Sequence, residues 1–499
     1  MLYRPDAGDY RVIGQYVGRV LIGVGLLMLV PAALGLVMRE FDAAVGFVIG
    51  FSLTLTAGLL LTWRMQTQRH PDWSHGVVIS ALSWLVGPFF GAVPLFLSGH
   101  FGSFLDAYFD GMSGFATAGL TVINDLDHVA YSVNLWRHLL QYVGGQGLVL
   151  VVLTLFAAHG ATAMYVGEAR EERILPNIIG TARFIVRVSL LWLALATPLL
   201  WLALVLAGYD PGRALLHAID LFMAAFSTGG FAPRSASVAF YHSALLEGLL
   251  AVIMIAGASS FGIHYLLINR RFEALRRHLE VRTFLVCLLV FYTLAAIALA
   301  RTGAYTSADQ LFRRGFFMML SAQTTTGFAT LPSRTLVSYW GALAPAMIVG
   351  AMTIGAMSGS TGGGIKVARI GVIAKSLKQD VLRRLLPPDA VVVESYHAGQ
   401  PRILRPEVVR LAAMVLLLFM LLYGMGALIG MFYEYPFDQA FFESVSAAGT
   451  VGLSVGLTGP SLETGLKIVY ITQIWMGRLE LIAVLALFGF AYSTVRGRL

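Results

Sequence analysis

The sequence predicts an all-α polytopic membrane protein, with four tandem helix–pore loop–helix repeats around a pseudo-fourfold pore and an N-terminal two-helix hairpin in front. Three observations carry that expectation. Hydrophobic residues make up 57% of the 499-residue chain and charged residues 12%, where a soluble domain carries about a quarter. Apolar runs of about 18 residues or more recur, the length a helix needs to cross a bilayer. A pattern Thr-x-Gly-(Leu/Phe)-(Thr/Ala/Ser) occurs four times, with its glycines 111, 97 and 125 residues apart, which is a repeat period.

The four copies are Thr117, Ala118, Gly119 and Leu120; Thr228, Gly229, Gly230 and Phe231; Thr325, Thr326, Gly327 and Phe328; and Thr450, Val451, Gly452 and Leu453. A cation entering a bilayer loses its water, and a ring of backbone carbonyls replaces that water if the chain is extended around one axis. Glycine permits such backbone. Irregular backbone at membrane depth is tolerated only against protein or an aqueous path, so four such loops must converge.

Taken in order, two apolar runs at about Gly14–Met38 and Ala43–Trp63 form the leading hairpin, within residues 1–70. The first run is too long, and too closely followed by the second, for a cleavable signal peptide. Repeat 1 (71–165) has an outer helix at Gly76–Leu97, a pore helix at Phe104–Ala116 and a return at Tyr131–Ala158. Repeat 2 (166–270) has Ala182–Ala207, Ala214–Phe226 and Phe240–Leu267. Repeat 3 (271–375) has Arg282–Ala300, Ala308–Gln323 and a return from Leu336 onward; a cytoplasmic segment, 376–405, follows. Repeat 4 (406–499) has Pro406–Met431, Asp438–Gly449 and Thr464–Tyr492, bringing the total to ten crossings. The short helices aim their partially negative C-terminal ends at the pore, which favours cations.

The return of repeat 3 is interrupted by Gly355-Ala-Met-Ser-Gly359-Ser360-Thr361-Gly362-Gly363-Gly364, followed by Ile365 and Lys366. Each glycine costs a helix on the order of 1 kcal/mol relative to alanine, so the chain leaves helical form here. This stretch is the candidate gate. A phosphate-cradling loop is the competing reading, but neither a preceding strand nor the Gly-x₄-Gly-Lys-Ser/Thr spacing is present. Arg478 lies inside the last return, where a charge must face protein or water, either as a barrier to cations or in a structural ion pair. Asp110, Asp220 and Glu443 precede their motifs by seven to eight residues, and Asp125 and Asp127 follow the first. They fit carboxylates that concentrate cations at a mouth, or capping groups.

The net charge of +8 reflects topology and not nucleic-acid binding. Of 35 Lys and Arg, 24 fall on one alternate set of loops and tails, which the positive-inside rule makes cytoplasmic together with both termini, and eight on the other. The basic stretch Lys366–Arg405, with Lys375, Lys378, Arg383 and Arg384, reads as a helix-plus-loop patch for solvent, lipid phosphates or an acidic partner. The sole cysteine, Cys287, excludes a disulfide framework within the chain and a cysteine metal cluster. His264 reads as a packed polar residue, and no nucleophile-elbow or zinc motif is present.

Ser113–Thr121, Phe226–Phe231, Thr324–Thr330 and Gly449–Ser454 resemble the pore segments of the Trk/Ktr/HKT superfamily of potassium transporters, and within it those of TrkH-type potassium uptake proteins. The likeness spans essentially the whole chain, and the leading hairpin is what separates this branch from the shorter Ktr type. It implies potassium as the substrate ion at the four motifs, with no cofactor in this chain. It further implies a homodimer in the bilayer of a prokaryotic cytoplasmic membrane, one pore per protomer, and a cytosolic nucleotide-binding regulatory ring of TrkA type. In that family glycine in all four filters accompanies potassium permeation, and serine in the first accompanies sodium preference. Gly355–Lys366 looks like the family's intramembrane gating loop, and Arg478 like its arginine below the filter. Ala116, Ala118 and Ala232 depart from the hydroxyl residues common in the family. Two readings from outside this one stay open: a sodium-permeable or weakly selective member, and an alternating-access solute transporter, which predicts inverted repeats. An enzyme needs a convergent acid/base or metal set, and none assembles from this sequence.

Overall fold

A computed structural model describes residues 5–147, 178–305, 307–387 and 392–496. The leading hairpin pairs Ala7–Val37, whose helix is interrupted at Met28, with Phe41–Arg64. Asp6 opens the first helix through a capping box with Asp9. The hairpin closes tightly because a side chain on Gly18 would stand 2.8 Å from the Gly58 carbonyl, and one on Gly58 2.9 Å from that of Gly18.

Each repeat then opens with a long apolar helix: Trp73–Leu97, Ile178–Leu206, Leu279–Thr302 and Pro406–Phe432. Their outward faces carry stripes such as Leu417, Leu421, Met425 and Leu428, exposed at helical spacing as lipid-facing residues are. The pore helices are Phe104–Phe115, Pro211–Phe226 and Phe437–Ala448, with the third running from Ala308 to Gln323 through a widened π turn at Leu311–Phe316. The second starts three residues before its expected position because Asp210 caps it and Pro211 suits its first turn.

The return helices differ most from expectation. Phe240–Leu267 is not one helix: Phe240 belongs to the short 3₁₀ turn Ser237–Tyr241, and Ala244–Ala258 and Phe261–Ile268 meet at 104°. Ser259 and Ser260 are extended there, and the Ser260 hydroxyl caps the new helix by accepting from the Ile263 N–H at 3.2 Å. Thr464–Tyr492 likewise breaks into Thr464–Arg478 and Ile482–Arg496 at 106°, with Glu480 and Leu481 in the left-handed region. Tyr131–Gln146 ends before Gly147, and the rest of the expected Tyr131–Ala158 helix, like the 165/166 repeat boundary, lies outside the described residues. In the third return Ser333–Ser338 and Leu343–Thr353 are helical ahead of the irregular segment. Close approach to the pore helices demands glycine near these breaks. A side chain on Gly144, Gly257 or Gly477 would collide with the carbonyl oxygen of Phe115, Phe226 or Ala448, the last residue of each pore helix.

On the side of the basic loops, Val367–Leu385 runs straight across the expected 375/376 boundary. Beyond it the expected helix-plus-loop patch gains an antiparallel hairpin, Ser395–Ala398 with Gln400–Ile403, turning at Gly399. Lys375 and Lys378 are not merely solvated. They reach the Glu394 carboxylate at 2.8 and 3.3 Å, and Lys375 holds that carboxyl below its usual range.

Gly257→Ala should lower the thermal midpoint in detergent by an amount equivalent to about 1–3 kcal/mol, as overpacking does. Gly489→Ala, where no atom lies within 4 Å of the added carbon, should melt with the parent. Equal midpoints for both variants would refute the close packing of return helix on pore helix.

Candidate functional site

The site begins where each pore helix stops. In all four repeats the helix ends in the same pair of backbone bonds. Thr117, Thr228, Thr325 and Thr450 donate to Gly114, Ala225, Ala322 and Ala447, and the next residues donate to Ser113, Ala224, Ser321 and Ser446. This is a Schellman ending, which normally places glycine in the left-handed region. Here threonine occupies it, at φ of 55°, 52°, 56° and 50°. Two residues on, Gly119, Gly230, Gly327 and Gly452 are left-handed again, at 74°, 74°, 85° and 94°.

The four glycines form a closed ring. A side chain on Gly119 would strike the carbonyl of Gly229, one on Gly230 that of Thr326, one on Gly327 that of Val451 and one on Gly452 that of Ala118 at 2.6 Å. The contact passes from repeat 1 to 2, 3 and 4 and back to 1. At each position a side chain would force the neighbouring backbone to shift, and the left-handed φ strains it further. On one side the ring opens into a cavity of about 240 Å³ lined by all four glycines together with Leu120, Phe231 and Leu453.

The other side is closed. Residues 354–366 leave helical form over the stretch expected, clamped at its ends by the Gly355 N–H to Ile365 carbonyl bond of 3.0 Å and the Ile365 N–H to Thr353 carbonyl bond of 3.3 Å. Within it Gly359 and Gly364 are left-handed, Ser360 donates to the Met357 carbonyl at 2.6 Å, and Lys366 Nζ donates to the Gly362 carbonyl. The segment meets three of the four threonines. Thr361 Oγ1 lies 3.2 Å from Thr228 Oγ1, the Gly363 N–H donates to Thr325 Oγ1 at 2.9 Å, and a side chain on Gly363 would stand on the Thr450 hydroxyl. Arg478 meets the fourth. It ends its helix half and donates to Thr117 Oγ1 at 3.0 Å, the Thr361 carbonyl at 2.7 Å and the Gly144 carbonyl at 2.8 Å.

The acidic residues do not surround the mouth as a cation-concentrating set. Asp110 and Glu443 are fully buried behind the motifs. Each lies nine residues before its glycine and braces the segment beyond. Asp110 accepts from Thr121 Oγ1 at 2.8 Å and the Val122 N–H at 3.1 Å; Glu443 accepts from Ser454 Oγ, the Val455 N–H at 2.9 Å and Thr458 Oγ1 at 2.7 Å. Asp220 is one residue out of phase, and is instead buried with its Oδ1 3.8 Å from His138 Nδ1. Asp127 ties the first loop to Ser235 of repeat 2, and Asp125 pairs with exposed His128. The charged groups that do line the cavity are Arg137 and Arg234.

Several contributors escaped the sequence reading. Arg137 donates to Asp110 at 3.0 Å and lies over the Phe231 ring at 4.1 Å, joining repeats 1 and 2. Gln141 spans the second motif, donating to the Gly229 carbonyl at 2.6 Å and accepting from the Phe231 N–H at 3.2 Å. The recurrence of an acid nine residues before glycine and a hydroxyl two residues after it, in repeats 1 and 4, was a visible signal for the bracing. His264 is packed against Trp192 and Phe261, with Nδ1 3.1 Å from the Ser260 carbonyl.

Re-entrant pore helices converging on one backbone ring inside a polytopic membrane protein define a membrane transport protein. The chain belongs to the TrkH family of cation transport proteins, whose family model matches residues 44–492. It is 30% identical to an uncharacterised cation transporter of Methanocaldococcus jannaschii, over 97% of this chain and 96% of that one. Identity to the Trk system potassium uptake protein TrkH of Escherichia coli is 28%, over 96% and 98%. The crystal structure of the potassium transporter TrkH from Vibrio parahaemolyticus superposes with a TM-score of 0.82 at 26% identity, covering 95% of this chain and 98% of that one.

Glu443→Ala removes a buried carboxyl acceptor from three donors and should cost on the order of 3 kcal/mol, read as a lower thermal midpoint. Glu443→Gln, which keeps the shape, should cost less. A midpoint unchanged in the alanine variant would rule out the bracing role.

Proposed function

We propose that this protein carries potassium across a prokaryotic cytoplasmic membrane through one pore per chain, with the four Thr-x-Gly-(Leu/Phe) segments as its selectivity filter. The observation that carries the reading is the closed ring of left-handed glycines, each against the carbonyl of the next repeat. Backbone oxygens held around one axis replace a cation's water. Pore-helix C-termini at the ring add partial negative charge, which offsets Arg137 and Arg234 at the mouth. The potassium named for the relatives in Escherichia coli and Vibrio parahaemolyticus supports the choice of ion.

The gate in this reading is Gly355–Gly364 with Lys366 and Arg478. An ion leaving the ring meets a guanidinium bonded to Thr117 and a backbone segment under the other threonines. Like charge in a low-dielectric site makes that a barrier. The protein works in this reading as a homodimer in the bilayer, with both termini cytoplasmic and a nucleotide-binding ring of TrkA type as its cytosolic regulator. The basic side carrying the Ser395–Ile403 hairpin is where such a regulator would dock.

Cation flux into liposomes holding the purified chain tests the proposal. Potassium and rubidium should pass well above sodium and lithium, and Gly119→Ser, whose side chain enters the Gly229 carbonyl, should erode the difference. Shortening Gly355–Gly364, or Arg478→Ala, should raise basal flux. Equal flux of the four ions would mark a weakly selective member of the family. No flux even with the loop shortened would point to solute transport.

A further inference from the structure

The loop under the ring and Arg478 come from different repeats, yet two bonds among the described residues fasten them to each other. The first fastening is Arg478 itself, donating to the Thr361 carbonyl at 2.7 Å. The second lies beyond the loop's end. Arg369, in the first turn of Val367–Leu385, forms an ion pair with Glu480 in the elbow between Thr464–Arg478 and Ile482–Arg496. Glu480 and Leu481 take φ of 52° and 62°, a backbone that persists only where surroundings hold it. Local bonds from the Glu480 N–H to Gly477 and the Leu481 N–H to Met476 shape the elbow. Only the Glu480 carboxylate reaches from it to the loop's helix among the bonds above.

We propose that Arg369 and Glu480 are positioning residues that latch the intramembrane loop to the elbow carrying Arg478, so that the two parts of the barrier leave the ring together. One fastening would let the loop pivot about Arg478. Two, at Thr361 and Arg369, fix its orientation as well, so neither part moves far alone. The pair also has the setting of a switch. It lines a cavity of about 150 Å³ shared with Ser358 and Gly359 of the loop and Tyr396 and Arg402 of the cytoplasmic hairpin. Separating a buried ion pair in a dry interior leaves uncompensated charge; a cavity beside the pair that also carries Glu280 and Arg402 gives water room to solvate the parted groups. Glu280, from the outer helix of the same repeat, lines the same cavity and accepts from the Ser358 N–H at 2.8 Å.

The latch rests on the reading of the loop and Arg478 as a gate, and the test separates the two. Potassium and sodium flux are measured in liposomes for the full chain and for Arg369→Gln, Glu480→Gln, the exchange Arg369→Glu with Glu480→Arg, Arg478→Ala, and Arg478→Ala with Glu480→Gln. Each neutral single variant should raise basal potassium flux about five- to tenfold, in the range of ordinary coupling, with the potassium-to-sodium ratio unchanged. The charge exchange should return flux toward the parent level, and the Arg478→Ala combination should match the larger of its two singles. Glu480→Gln keeps the side chain's shape, so it reads out function where a larger change unfolds the elbow. Raised flux in Arg478→Ala with parent-like flux in folded Arg369→Gln and Glu480→Gln overturns the latch and leaves the gate standing. Additive effects, or no rescue on exchange, also overturn it. Parent-like flux in Arg478→Ala and in loop-shortened protein overturns the gate, and the latch with it.

Discussion

Four threonines held in the left-handed region are the constraint on which the rest of the structure depends. A β-branched residue is strained there, by about 1–3 kcal/mol each, and such strain persists only where the surroundings over-determine it. Three conditions coincide at Thr117, Thr228, Thr325 and Thr450. The pore helix must end, and the Schellman bonds end it. The chain must turn so that the glycine two residues on sits against its neighbour's carbonyl, and a left-handed residue turns it. The hydroxyl or backbone at that level must face what lies beneath, as the contacts to Arg478, Thr361 and Gly363 show. Glycine would relieve the strain and remove the hydroxyls that Arg478, Thr361 and Gly363 meet.

The ring is symmetric where strangers to the motif are not. Repeats 1 and 4 brace the segment beyond the glycine with a buried carboxylate, at Asp110 and Glu443. Repeat 3 has Met318 at the same offset, and its sulfur meets the Thr330 N–H at 3.4 Å, a weak contact in place of a charge-assisted bond. Repeat 2 borrows Gln141 from the return helix of repeat 1. Backbone geometry is thus common to all four quarters, while the stiffness behind it is set separately in each.

What the sequence disclosed follows from how local each signal is. The repeat was legible because Thr-x-Gly recurs in matching apolar contexts, and the irregular segment because five glycines in ten residues defeat a helix whatever packs on it. The breaks at Ser259 and at Glu480 were not legible. Neither contains proline, and both lie beside glycines, Gly257 and Gly477, that approach pore-helix carbonyls distant in sequence. The role of the acids stayed open between two readings for a similar reason. A carboxylate near a cation path looks the same in sequence whether it faces water or the backbone behind the path, and burial alone separates the two. The hairpin at Ser395–Ile403 was lost in a polar run whose alternation is too short to read as a strand pair.

The placement of the breaks explains how one chain can keep a symmetric ring over an asymmetric floor. In repeats 2 and 4 the interruption is short, Ser259–Ser260 and Leu479–Leu481, and helix resumes at once. In repeat 3 it extends from Ile354 to Lys366, long enough to cross beneath three quarters of the ring, and repeat 4 completes the fourth with the side chain of Arg478. The ring is built from pore helices and their endings; the floor is built from the far halves of return helices. They meet at the threonines, at the glycine contacts of the pore-helix ends, and at two further bonds, Gln323 Nε2 to the Ile354 carbonyl at 2.6 Å and Thr361 Oγ1 to the Phe226 carbonyl at 3.0 Å. A displacement of the floor therefore leaves the carbonyl ring's own bonds intact, which is the physical condition for changing passage without changing what the ring accepts.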